Sequence, residues 1–378
     1  MPIKETPFYS KLLGTLPVGC QYCVRGEKLV LFTTGICPRH CWFCPLSEKR
    51  KDVDVVFVNE WKTNKWENLL EEVKLTGAKG AGITGGDPLA RLDRTCDYIR
   101  KMKKEYGKKF HIHLYTSFVL VNEQSMKELY SSGLDEIRFH PDFDKLEDCK
   151  NIEFAQDYDW DIGVEIPVIP KKEKEIFTMI DELGPKIKFL NLNELEVSDL
   201  NADEMLKQGY ELLSDEQCGI VGSAELAEKI MLYVEKKFPN LSVHYCTGRL
   251  KDGVQMKNRF IKRAKSVATV FDEITEEGML YRGVLYLKEF SPELNMQKEL
   301  DAMPSERKEE LLSKLKEKVK LLDEEGLDVF LDEKKLRIIT YPEHVEQFAT
   351  VLKGLGFVVA LVEEDPTQES FETEIDVL

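Results

Sequence analysis

From Lys28 onward, short apolar runs alternate with stretches whose apolar residues recur at helical spacing. KLVLFT (28–33), GAGIT (80–84), FHIHLYT (110–116), DEIRF (135–139), DIGVEIPV (161–168) and KFLNLNELEV (188–197) read as strands. Between them, WENLLEEVKLTG (66–77), RLDRTCDYIRKMKKEYG (91–107) and NEQSMKELYSSG (122–133) read as amphipathic helices, each closing on a glycine. A further helix and strand follow at 223–237 and 241–246. Strand–helix alternation repeated this often predicts parallel strands joined by crossovers. The spacing suits a full or partial (β/α) TIM-like barrel better than a small doubly wound sheet. Chemistry is then expected at the strand C-termini and in the loops after them.

Beyond about residue 265 the rhythm changes. A strand pattern (278–290), a long amphipathic helix (305–326), two strands joined by a DEKK turn, a helix (343–354) and a last strand (356–364) give the order β-α-β-β-α-β. That order predicts an α+β ferredoxin-like domain. It lacks the glycine-aromatic run of an RNA-recognition motif, and reads as a partner-binding or lid domain. The predicted organisation is therefore an N-terminal segment (1–27), a barrel (28–264), a C-terminal domain (265–366) and a flexible tail (367–378).

Composition narrows the class. The chain has 378 residues, 42% of them hydrophobic, enough to bury a core. No apolar run approaches the ~18 residues of a membrane span, and mean hydropathy is −0.34. The N-terminus has no apolar signal-peptide core, so a cytoplasmic location is expected. The formal net charge is −16, but residues 291–378 hold 22 acidic and 11 basic side chains, leaving the rest nearly balanced. Two local basic runs stand out: Arg100, Lys101, Lys103, Lys104, Lys108 and Lys109, and then Arg249, Lys251, Lys257, Arg259, Lys262, Arg263 and Lys265. Each is either a solvated face or a phosphate-facing rim.

Nine cysteines in a chain without a secretory signature point to metal rather than disulfides. Cys37-Pro-Arg-His-Cys41-Trp-Phe-Cys44 sits directly after the first predicted strand. Iron–sulfur clusters are held by thiolates, and a [4Fe-4S] cube normally takes four. Three closely spaced thiols leave one iron open to an exogenous ligand. A structural zinc loop would need a fourth donor, and His40 stands awkwardly between two ligands.

With the second motif, Ile83-Thr84-Gly85-Gly86-Asp87-Pro88 after the second strand, the chain resembles the radical S-adenosylmethionine superfamily. Its CxxxCxxC signature and its GGEP motif occur in this order, here with aspartate in place of glutamate. The N-terminal block further resembles an archaeal group related to pyruvate formate-lyase activating enzymes. The resemblance implies that Cys37, Cys41 and Cys44 ligate a [4Fe-4S] cluster whose open iron is chelated by S-adenosylmethionine. One electron, from a donor such as ferredoxin or flavodoxin, then cleaves the cofactor, and a 5′-deoxyadenosyl radical abstracts a substrate hydrogen. Phe43 would lie beside the adenine, and Gly85, Gly86 and Asp87 would meet the methionyl amine. Ser117 would contact the ribose and Arg138 the methionyl carboxylate. By strand position, His140, Glu165, Asn191, Asn193, Glu194 and Glu196 end the fourth to sixth strands and would face the same mouth of a barrel; the alternative for each of these strand-end residues is a core hydrogen bond or a helix N-cap.

Cys20-Gln-Tyr-Cys23 is a metal half-site whose partners would be His244 and Cys246, on a strand expected to close the barrel beside the first. Zinc or an auxiliary Fe–S cluster suits that set; a redox pair is the alternative. For the substrate, the leading expectation is RNA, above all tRNA, on the strength of the Arg249–Lys265 run. The alternative is radical activation or modification of a partner protein. More remote is a non-catalytic Fe–S or zinc protein.

Overall fold

The computed structural model describes residues 2–198, 200–214, 217–291 and 296–378. The chain forms two compact units, Met1–Arg259 and Phe260–Leu378.

In the first unit the elements run β1 (Lys4–Glu5), β2 (Lys11–Leu13), α1 (Val18–Val24), β3 (Lys28–Phe32), β4 (Phe57–Val58), β5 (Trp61–Lys62), α2 (Trp66–Thr76), β6 (Gly80–Thr84), α3 (Leu92–Tyr106), β7 (His111–Ser117), α4 (Glu123–Ser132), β8 (Glu136–His140) and β9 (Asp161–Val168). They continue with α5 (Glu173–Leu183), β10 (Phe189–Glu194), α6 (Ala202–Lys207), the hairpin β11 (Leu212–Ser214) and β12 (Gln217–Ile220), α7 (Ser223–Lys237), β13 (Ser242–Cys246) and the short α8 (Gly248–Leu250). A π-helical turn, Lys251–Met256, then leads into α9 (Lys257–Val267). Helix ends follow local chemistry. Gly77 closes α2 in the left-handed region, and Asn122 opens α4 with a reciprocal capping box through Ser125.

One eleven-stranded sheet runs β1-β2-β13-β10-β9-β8-β7-β6-β3-β4-β5. The consecutive members β3, β6, β7, β8, β9, β10 and β13 pair in parallel. The architecture is a partial (β/α) barrel, open rather than closed. The expectation that β13 closes beside β3 is corrected: β13 pairs with antiparallel β2, and the free side of β3 is taken by antiparallel β4. The N-terminal segment expected to stand apart therefore supplies edge strands to this sheet.

The strands alternate strictly. Ile112 and Leu114, Ile137 and Phe139, Val164 and Ile166, and Leu190 and Leu192 face outward into one core with Ile99 and Met102 of α3, Met126 and Leu129 of α4, and Ile176 and Ile180 of α5. The intervening positions turn inward and are polar: His113, Tyr115, Arg138, Glu165, Asn191, Asn193 and His244, several of them in register across the sheet. Helix α1 lies against this inner face. At Gly19 an added Cβ would stand 2.5 Å from His113 Nδ1 and 2.7 Å from Arg138, so only glycine permits the approach.

The second unit runs β14 (Glu273–Ile274), β15 (Leu280–Leu287), α10 (Met296–Ala302), α11 (Ser305–Glu324), β16 (Phe330–Asp332), β17 (Arg337–Thr340), α12 (Pro342–Gly354), β18 (Phe357–Glu364) and β19 (Glu372–Val377). It is an α+β unit whose antiparallel sheet is ordered β16-β17-β15-β18-β19, with its own core. The expected flexible tail is corrected: β19 pairs along β18. Its alternation of Thr373, Ile375 and Val377 with acidic residues suits a half-exposed edge strand. Among the described residues no helix is long and apolar enough to cross a membrane.

Candidate active site

The loop after β3 carries Cys37, Cys41 and Cys44. Its root is fixed by backbone pairing of Gly35 with Val53 and Asp52, at 2.9 and 3.0 Å. Below it, the Asp54 carboxylate accepts from Thr34, Arg91 and Arg94 at 2.6–3.1 Å. The tip is held by stacking of Trp42 on Tyr210, centroids 5.5 Å apart, and by Asn201 donating to the Phe43 carbonyl at 3.2 Å. Arg39, inside the motif, donates to the carbonyls of His140 and Pro141 at 2.8 and 3.2 Å, tying the loop to the end of β8.

The turn after β6 is stitched to the same root. Gly86 N–H donates to Thr34 O at 2.7 Å and Asp87 N–H to Ile36 O at 2.9 Å. A Cβ at Gly85 would fall 2.4 Å from Thr34 O, and one at Gly86 would fall 2.4 Å from Gly35 O. The glycine pair thus allows two backbones to touch, in addition to any close approach by a ligand.

These two loops and the barrel's inner face enclose a cavity of about 460 Å³. All three motif cysteines line it, with Phe43, Gly85, Gly86, Ser117, Arg138, His140, Glu165 and Asn193. Lys28 and Arg39 also reach it, and sequence reasoning did not single them out. Arg39 carried a legible signal in its position between two cysteines. Lys28 had only its inward parity at the start of β3.

Asp87 departs from expectation. Its carboxylate, 1% exposed, is absent from the cavity wall and accepts from Thr116 Oγ1 (2.8 Å), Ser117 Oγ (2.7 Å), Ser117 N–H (3.1 Å) and Leu89 N–H (3.0 Å). Burial pushes its carboxyl up, and those hydrogen bonds oppose the shift. The side chain locks β6 to β7. Arg138 is similarly engaged: its guanidinium meets Glu136 at 2.5 Å, Glu165 at 2.9 Å and the Tyr115 hydroxyl at 3.0 Å. Burial alone would raise the Glu165 carboxyl. Arg138 and the amides of Asn191 and Asn193 outweigh it and hold Glu165 below the usual range. His140, accepting or donating at Nδ1 to the Glu165 carbonyl at 2.9 Å, is lowered by burial to about 4 and is neutral at pH 7.

The thiols fit a metal centre chemically. Burial pushes Cys37 up to about 11 and raises Cys41, so ligand thiolates here need a bound cation to form. The second set lies near one end of β13. Cys23 Sγ contacts Gln255 Oε1 at 2.7 Å, Gln255 Nε2 lies 3.8 Å from Cys246 Sγ, and Cys20 Sγ accepts from Asn191 at 3.4 Å. His244 lies 3.3 Å from Ser10 Oγ. Glu194 and Glu196 are held instead by Gly248 N–H (2.8 Å) and Lys251 (2.9 Å).

Part of the Arg249–Lys265 run, read as either a solvated face or a phosphate-facing rim, is engaged within the fold. Arg249 lies over Tyr9, Lys251 pairs with Glu196, Arg259 pairs with Glu60, and Arg263 is 3% exposed. In the other run, Lys101 pairs with Asp97 and Lys103 with Asp135.

Comparison with known proteins adds a family. Residues 31–159 match the family described as the Radical SAM superfamily. A protein of Methanocaldococcus jannaschii, provisionally named a glycyl-radical enzyme activating enzyme, is 45% identical over 280 residues, 71% of this chain and 73% of its own length. The PqqA peptide cyclase of Granulibacter bethesdensis is 27% identical over 107 residues, 28% of this chain and 26% of that one. Among solved structures, coproporphyrinogen III oxidase from Escherichia coli aligns over 57% of this chain and 55% of its own, at 11% identity and a TM-score of 0.36.

Proposed function

Since this chain belongs to the radical S-adenosylmethionine superfamily, we propose that the substrate on which it performs that chemistry is a partner protein, from which it abstracts a hydrogen atom to leave a protein radical. The observation that carries this reading is the 45% identity to the Methanocaldococcus jannaschii protein across most of both chains. The RNA reading rested on the Arg249–Lys265 run, of whose seven cations Lys251 and Arg259 pair with Glu196 and Glu60 and Arg249 lies over Tyr9.

In this account Cys37, Cys41 and Cys44 would hold the cluster through their thiolates, and Phe43, Gly85, Gly86 and Ser117, which line the same cavity, would border S-adenosylmethionine. When bound, the cluster and S-adenosylmethionine supply one-electron cleavage and a hydrogen-abstracting radical, the hard chemistry a protein leaves to its cofactors. The chain's own residues position and shield. Asp87 fixes the spacing of the β6 and β7 ends through Thr116 and Ser117. The Arg138–Glu165 pair holds a rigid floor at 2.9 Å. Neutral His140 would keep an extra positive charge out of the wall of a cavity that has to accept a cationic sulfonium. We read the second unit as ferredoxin-like, supported by its antiparallel order β16-β17-β15-β18, and as the docking module for the partner.

The test uses reduced enzyme, S-adenosylmethionine and the macromolecular fraction of a cell extract, with 5′-deoxyadenosine measured by mass. Stimulation that disappears after protease treatment and survives ribonuclease is the expected result. Stimulation that survives protease and disappears with ribonuclease would overturn the protein reading in favour of RNA.

A further inference from the structure

Beyond the cavity, one group of thiols has no part in the function described. Cys20 and Cys23 are three residues apart on α1 and so share a side of it, while Cys246 ends β13. The fold brings these distant segments together. The Gln255 amide spans two of the sulfurs, with Cys23 Sγ at 2.7 Å from Oε1 and Cys246 Sγ at 3.8 Å from Nε2. Asn191 donates to Cys20 Sγ at 3.4 Å and is the register partner of His244. His244 is two residues from Cys246 on the same strand face, 2% exposed, and its Nδ1 has no hydrogen-bond partner.

Two further features converge on the same place. Gln255 lies in the π-helical turn Lys251–Met256, a rare widening that concentrates at functional sites. The Lys28 ammonium lies within electrostatic reach of Cys23 and Cys20, as it does of the Glu165 carboxylate. Three thiolates on one divalent ion carry a net single negative charge, which a cation at that distance would partly offset.

We propose that Cys20, Cys23 and Cys246, with His244 as the fourth donor, form a second metal centre for a thiolate-binding metal, either zinc or the iron of an iron–sulfur cluster. Sulfur and imidazole donors select both. Among the described residues no three His, Cys, Asp or Glu side chains already stand at metal-binding geometry, and this is equally so for Cys37, Cys41 and Cys44. Closure of the new site requires the Gln255 amide to swing from between Cys23 and Cys246. The site adjoins the cavity: Asn191 Nδ2, which touches Cys20, also donates to the cavity-lining Glu165 at 2.9 Å. The inference does not rest on the protein-substrate reading.

The decisive protein is the full chain with Cys37, Cys41 and Cys44 all changed to serine, purified anaerobically, with zinc, iron and acid-labile sulfide measured per chain. The expected result is either about one zinc or matched iron and sulfide, lost when Cys23→Ser and Cys246→Ser are added. A folded variant holding neither metal above background overturns the proposal. Should that variant fail to fold, the wild-type chain and Cys246→Ser are compared after reconstitution. The proposal expects the wild type to hold about one zinc more, or roughly twice the iron; equal metal contents overturn it.

Discussion

In the second unit, Arg337 meets Asp332 and Glu372 at 2.9 Å each and also Glu364, and Lys335 meets Glu372 at 2.9 Å and Glu364 at 3.4 Å. Every one of these buried charges has an opposite neighbour. The barrel interior is different. His113 is as deeply buried, and neither ring nitrogen has a hydrogen-bond partner. Lys28 and three motif thiols border an open cavity. A closed ion network is a structural solution, complete without a ligand. An interior with polar groups left over is one arranged for something else to enter. The contrast teaches where in this chain to look for chemistry.

Arg138→Met and Arg337→Met test the contrast most severely. Arg138→Met strips the cation from Glu136 and Glu165, and Arg337→Met from Asp332, Glu364 and Glu372, so each is expected to cost about 3–5 kcal/mol of unfolding free energy, read from denaturant curves. Only Arg138→Met should also abolish 5′-deoxyadenosine formation. Parallel loss of activity in Arg337→Met would break the distinction.

Acidification comes next. Burial puts His140 near 4 in the folded chain, against ~6.5 when unfolded. As pH falls through 6.5 the unfolded state binds the proton first, so stability declines until about pH 4 and then levels off. The His140 contribution is up to ~3 kcal/mol. His244, also lowered by burial to about 4, adds to the decline. His140→Asn should flatten the pH–stability curve by its own share; an unchanged curve would show that His140 titrates normally.

Ser117→Ala removes one hydroxyl from the Asp87 carboxylate and is expected to cost ~1–3 kcal/mol, with weaker S-adenosylmethionine binding by equilibrium dialysis. The smallest effect belongs to Arg94→Ala. Its partner Asp54 is a third exposed, so a loss under ~1 kcal/mol is expected. A larger loss would mean that the cysteine loop depends on the Asp54 clamp.

The sequence made the barrel legible where one period and one motif coincided: strands of alternating parity, with CxxxCxxC after β3 and GGD after β6. Both motifs do meet at one cavity. What escaped were relations between distant residues. The Asp87 side chain turns to Thr116 and Ser117, a contact between two loops that no local pattern reveals. The partners that hold the basic run, Tyr9, Glu60 and Glu196, lie far from it in the chain. The open edge of the sheet depends on β2 and β4, each two or three residues long, too short to carry a period. Glu136, by contrast, stands two residues before Arg138 on the same strand face, so that pairing was open to inspection. The tail's strand was readable too, in the alternation of Thr373, Ile375 and Val377, but its acidic residues suggested fraying.

The central claim is that the cavity beneath Cys37, Cys41 and Cys44 is the site of radical chemistry. Its most direct test is anaerobic reconstitution with iron and sulfide, followed by dithionite and S-adenosylmethionine, with 5′-deoxyadenosine quantified for the wild type and for Cys41→Ala. The account predicts 5′-deoxyadenosine from the wild type and only background from Cys41→Ala, both chains being folded by circular dichroism. Equal yields from the two chains would contradict it.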